Sequence, residues 1–157
     1  GDLAVVGLGG AHELPRVGRV DDRDGAGLES SSGVLEPGTV AVIDPAHAGQ
    51  LMCSTEAYDR KVAGVVSGAG GVLPGIKLGQ GDVLDGDTPI AMSGRVYVKC
   101  SAENGPIVPG DRLTTAGLAG HAMKATDASL WDGAMIGKAM GALDQGTGLV
   151  LVLVNLQ

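Results

Sequence analysis

GRVYVKCSAENGPIVPGDRLTTAGLAGHAM, residues Gly94–Met123, sets the pattern for the rest of the chain. Its first segment alternates. Val96, Val98 and Cys100 fall on one face, and Arg95, Tyr97 and Lys99 on the other, as in a strand with one buried side. Asn104-Gly105 follows, the strongest short hairpin signal. Pro109-Gly110 then turns the chain into Asp111–Thr115. Gly117–Gly120 turns it again, and His121–Thr126 returns as a strand.

Much of this pattern occurs earlier in the chain. Gly33-Val34-Leu35-Glu36-Pro37-Gly38 matches Gly105-Pro106-Ile107-Val108-Pro109-Gly110, 72 positions on. Gly49–Thr55 matches Gly120–Thr126 at an offset of 71, and Val62–Val66 matches Met135–Ala139 at 73. Three blocks keep their order and nearly their spacing, which reads as an internal duplication. Two copies are too few for a solenoid and suit one domain built from two related halves.

At 157 residues the chain is long enough for a real core in a single domain. It has 28 Gly, no Phe, one Trp and two Tyr, so Val, Leu, Ile, Ala and Met must fill that core. Small side chains each bury little area, which favours tight backbone packing or burial between subunits. The net charge is −7, with 11 scattered basic residues against 18 acids. A nucleic-acid groove needs clustered Lys and Arg, and single strands need aromatic platforms; neither is present in the sequence, so no nucleic-acid partner is expected. No apolar run reaches the length of a membrane span. The N-terminus lacks the basic region of a signal peptide, and an opening Gly1 rather than Met reads as a processed product or an excised piece.

The remaining strands follow from composition and punctuation. Leu3–Leu8, Thr39–Asp44, Gln50–Thr55, Val62–Ser67 and Met135–Met140 are β-favouring segments bounded by Gly and Pro. Gly18-Arg19-Val20 echoes Gly94-Arg95-Val96 as the start of a repeat strand. Gly148–Asn155 contains six consecutive Leu and Val residues and reads as a strand buried on both faces, with partners in this chain or a neighbouring one. A short buried helix is its alternative, weakened by Gly148. Turns at about ten-residue spacing point to an all-β sandwich or barrel. Residues 1–20 form an N-terminal arm or edge strand. Residues 21–157 form one β domain, with half one at about 33–71, a connection at 72–91 and half two at about 92–157.

Candidate chemistry is sparse. Cys53 and Cys100 read as two buried free thiols acting as small hydrophobes, with one disulfide as the alternative. Asp22, Asp24 and Glu29, and the second cluster Asp82, Asp85 and Asp87, lack the spacing of a calcium loop. Gly7-Leu8-Gly9-Gly10 lacks the third glycine and the helix of a nucleotide-binding turn. Ser30–Ser32, His12, His47 and His121 supply the ingredients of a nucleophilic triad, yet no motif places them together. No catalytic, cofactor-binding or metal-ligating residue is expected.

The second half carries S-G-R-V at Ser93–Val96, G-P-I-x-P-G-D-x-L-T-T at Gly105–Thr115, G-H-A-M-K-A at Gly120–Ala125, I-G-K-A at Ile136–Ala139 and a final L-V-L-V-N. Over roughly residues 33–157 this resembles β-rich modules of bacteriophage virions, such as head-decoration proteins and the C-terminal parts of tail appendages, and of bacterial surface or secreted proteins. These are turn and strand motifs, so they specify a fold better than a function. The resemblance implies a non-enzymatic module that self-associates, in a virion or at a cell surface. Some tail-appendage C-terminal domains cut themselves off, and Ser30–Ser32 are then the candidates, though no cleavage motif matches them. A ligand- or carbohydrate-binding module is the other alternative, with Tyr58, Tyr97 and Trp131 as its only aromatics. The expected homo-oligomer contacts are Leu3, Val5, Val6 and Leu8 at one end and Leu149, Leu151 and Leu153 at the other, each completing a sheet in a neighbouring subunit. Deleting residues 1–10 is then expected to reduce assembly and leave a folded domain.

Overall fold

Ten strands and two short 3-10 turns make up the described part of the chain, which the computed structural model gives as residues 4–7, 35–71, 76–78 and 89–157. In chain order the strands are β1 (Ala4–Gly7), β2 (Val40–Ile43), β3 (Leu51–Cys53), β4 (Val62–Val66), β5 (Ile76–Leu78), β6 (Pro89–Ser101), β7 (Arg112–Thr115), β8 (Ala122–Lys124), β9 (Met135–Ala139) and β10 (Thr147–Asn155). The protein is all-β, as composition and turn spacing indicate.

Five strands close into a barrel. β6 pairs with β10, β10 with β9, β9 with β7, β7 with β8, and β8 returns to β6 through the parallel pair Cys100↔Ala122. Closure removes the sheet edges. The interior is filled by inward side chains, among them Val96, Val98, Leu113, Ile136, Val150 and Val152, each almost wholly buried.

The duplication is present in the hydrogen-bond registers. Ala41↔Cys53 in β2–β3 corresponds to Leu113↔Lys124 in β7–β8. Val40↔Val65 in β2–β4 corresponds to Arg112↔Lys138 in β7–β9, and both ladders shift register at the same place, between Ala41 and Val42 and between Leu113 and Thr114. Each shift lies opposite a glycine at positive φ, Gly64 (154°) and Gly137 (159°). The Pro-Gly turns also correspond. Gly38 and Gly110 have φ of 87° and 95°, and the Thr39 and Asp111 N–H groups donate back to Glu36 and Val108 O, both at 3.1 Å. This is the type II turn, whose third position favours glycine.

The pairing also shows where one half ends. Val65↔Ala91 and Val66↔Ile90 match Lys138↔Leu153 and Ala139↔Val152. The first part of β6 is therefore the closing strand of half one, and the rest of β6 opens half two. β1 pairs with Pro89–Ser93 as residues 93–97 pair with β10, so Ala4–Gly7 takes the place of an opening strand in half one, while Gly18-Arg19-Val20 lies outside the described residues. The other edge of β1 runs parallel to β5. Both ladders of β1, which carries Val5 and Val6, are thus occupied within the chain. Leu3 and Leu8 lie outside the described residues.

One expectation changes. Asn104-Gly105 does not join a hairpin, because β6 and β7 pair with other strands. Its Asn104 Nδ2 instead donates to Lys124 O (2.8 Å) and Thr126 Oγ1 (2.9 Å), fastening the turn to β8. Among the described residues of one chain β10 is buried on one face: Val150, Val152 and Val154 point into the barrel, and Leu149, Leu151 and Leu153 point out of it.

Candidate functional site

The outer face of the barrel is where the sequence places its uncommitted side chains. Alternation turns Arg95, Tyr97 and Lys99 outward on β6, the three leucines outward on β10, and Lys138 outward on β9. Register then sets Arg112 opposite Lys138, Lys138 opposite Leu153, and Leu153 opposite Arg95, a row running across four strands. Like charges placed directly across a ladder repel, so the Arg112–Lys138 pair costs stability unless an anion meets it.

The other cations whose side chains are described are accounted for. Lys61 pairs with Asp59 (2.9 Å), Lys99 with Glu36 (2.8 Å), Lys124 with Asp111 (3.1 Å) and Arg60 with Asp132 (3.3 Å). The Lys99 contact holds the Glu36 carboxyl below its usual range. Arg95, Arg112 and Lys138 have no carboxylate partner among the described residues, and all three stand in this one row. Beside Arg112 lies Trp131, with the guanidinium carbon 4.5 Å from the ring centroid, a cation–π contact. The buried indole Nε1–H has no acceptor among the described residues.

Next to this row is a depression of about 200 Å³, lined by Arg112, Lys138, Met135, Gly137, Leu153, Asn155 and Gln157. The C-terminal segment is held against β9 by Met135 and Gln157, whose N–H groups donate to each other's carbonyls at 3.1 and 3.3 Å. Alongside runs an apolar band. Leu149 and Leu153 are 48% and 45% exposed, Leu151 lies between them opposite Tyr97, and the exposed Met140 donates its N–H to Leu151 O.

Comparing the halves explains why this face is left open. The counterparts of Arg112, Lys138 and Leu153 are Val40, Val65 and Ala91, all fully buried in the core cluster shared with the barrel. Half one thus buries against half two the face that, among the described residues, half two leaves uncovered. Setting the copies side by side puts Val40 against Arg112 and Val65 against Lys138. This apolar-to-basic exchange was the sequence signal for the row. It goes unnoticed when the repeat is read only for its turns.

The other sequence candidates fall elsewhere. His47 Nδ1 lies 2.9 Å from Asp44 Oδ2, but Asp44 also accepts the Ala46 N–H, so the pair belongs to an exposed turn. His121 Nδ1 lies 2.7 Å from Ala119 O in the next turn. His12, Ser30–Ser32 and both acidic clusters lie outside the described residues. Cys53 and Cys100 are both buried free thiols, and burial pushes the Cys100 thiol up to about 12. Among the described residues no group of acids, histidines and cysteines is arranged to hold a metal, and no helix is long and apolar enough to cross a membrane. The aromatics are engaged: Tyr58 Oη accepts two backbone N–H groups, Tyr97 packs on Gly70, and Trp131 carries Arg112.

No family model matches the chain, and neither the curated proteins nor the solved structures compared with it give a match.

Proposed function

We propose that this chain is a non-enzymatic structural module that self-associates through the outer face of its barrel. The observation that carries the reading is the leucine band of β10. Its valines fill the core, while Leu149 and Leu153 stand about half exposed in one stripe with Leu151, Tyr97 and Met140 beside it. Single exposed apolar residues are ordinary; a contiguous stripe marks a contact surface.

The charges define the occupant. Arg95 and Lys138 flank Leu153, so a two-fold pairing of this face with itself sets cation against cation. A second copy with a net charge of −7 offers acidic surface instead. The contact is therefore heterologous, the kind that builds rings or filaments. The phage-like turn and strand motifs support a virion or bacterial-surface setting for such an assembly.

The test is sedimentation equilibrium of the wild type and the double variant Leu149→Ser, Leu153→Ser, with circular dichroism on both. The expected result is a multimeric wild type and a folded, monomeric variant. An unchanged mass distribution in the folded variant contradicts the reading.

A further inference from the structure

The depression beside Arg112 adds amide groups and an apolar wall to cations that also border the association face. Two cations face each other across a ladder at its rim, Asn155 and Gln157 add amide groups, and Met135, Gly137 and Leu153 supply apolar wall. The neighbouring indole N–H lacks an acceptor among the described residues. Four other Lys and Arg residues on this acidic protein have carboxylate partners, and among the described residues these have none.

We propose that this depression binds a small organic oxyanion, an acidic head group on a short apolar body. The head group sits between the Arg112 guanidinium and the Lys138 ammonium, where each N–H donor makes a charge-assisted hydrogen bond. It also relieves the repulsion between the two cations. The body lies against Met135 and Leu153. At about 200 Å³ the space is smaller than the sites that take drug-sized molecules, so the ligand is fragment-sized. Carboxylates and phosphate or sulfate esters share the required chemistry. Trp131 is held against Arg112, and as the only Trp in the chain it reports on the site.

The experiment follows Trp131 fluorescence during titration with phenyl phosphate, inorganic phosphate and benzyl alcohol. Saturable binding of phenyl phosphate, tighter than either comparator, is the expected result. Arg112→Gln and Lys138→Gln are each expected to weaken it about tenfold, as for loss of one charge-assisted hydrogen bond. Lys61→Gln, whose lysine pairs with Asp59 away from the site, leaves it unchanged. Equal affinity for inorganic phosphate overturns the apolar part of the proposal. No saturation with any probe overturns all of it and leaves the cations as charges that keep the face soluble. Repeating the titration on Leu149→Ser separates the pocket from assembly, because that substitution lies outside the depression.

Discussion

Gly64 and Gly137 occupy equivalent bulges, and each is required for the same reason. A Cβ on Gly137 overlaps the Leu153 carbonyl oxygen, and one on Gly64 comes within 2.6 Å of Ala91 O. Both clashes are with the backbone of the next strand, and both residues are at positive φ, so neither is relieved by a side-chain rotation. Gly137→Ala and Gly64→Ala are each expected to cost about 3 kcal/mol or more from combined strain and overpacking. Gly49→Ala, at φ 80° with open space around it, costs about 1 kcal/mol. Urea denaturation of the three variants checks the ordering. Cys100 makes a second residue-scale prediction. Its thiol, fully buried among the barrel valines, has a pKa raised from 9.0 to about 12. The folded protein therefore keeps a proton that the unfolded chain loses. That contribution is intact below pH 9.0 and disappears as pH rises towards about 12. Cys100→Ala is expected to show a shallower alkaline loss of stability than the wild type, and identical slopes contradict this.

At the scale of elements, the polar connection Glu56–Lys61 does more than its sequence announces. Tyr58 sits in the left-handed region (φ 54°), and its hydroxyl accepts the Thr126 and Asp127 N–H groups at 2.9 and 3.0 Å. The adjacent Asp59 N–H donates to Thr115 Oγ1 at 2.7 Å. A loop of half one is thus fastened to two segments of half two. Tyr58→Phe leaves both N–H groups without this acceptor and is expected to lower stability by about 1 kcal/mol, read by thermal unfolding. β1 gives the second prediction at this scale. Removing residues 1–10 strips a strand from between β5 and β6, so the deletion is expected to lower the unfolding temperature. An unchanged temperature argues against the internal pairing.

Much of this level was legible in the sequence, because Gly and Pro punctuate the chain and alternation marks which side of a strand is buried. The strands Val40–Ile43, Leu51–Cys53, Val62–Val66 and Met135–Ala139 lie within the segments that composition picks out. Pro89–Ser93 was hidden, since a closing strand that runs straight into the next half has no turn to mark its end. The two faces of β10 are not separable by composition, because Leu and Val are equally apolar in a run and only the barrel's curvature decides which side is filled within the chain. The basic row was invisible to local reading: Arg112 and Lys138 meet only through a register set by a bulge.

On the scale of the whole molecule, two copies of one β unit are joined so that the outer face of the first becomes core and that of the second is left uncovered by the other described residues. The same three positions read Val40–Val65–Ala91 where they are buried and Arg112–Lys138–Leu153 where they are not. The exposed band therefore lies on a face whose counterpart in half one is buried, and under the proposed self-association a differently charged surface covers it. The native mass by light scattering at micromolar concentration tests this most directly. Discrete multiples of the 15.6 kDa chain, falling towards the single chain as salt screens the cations, are the predicted result. A monomer at every concentration and salt level contradicts the account.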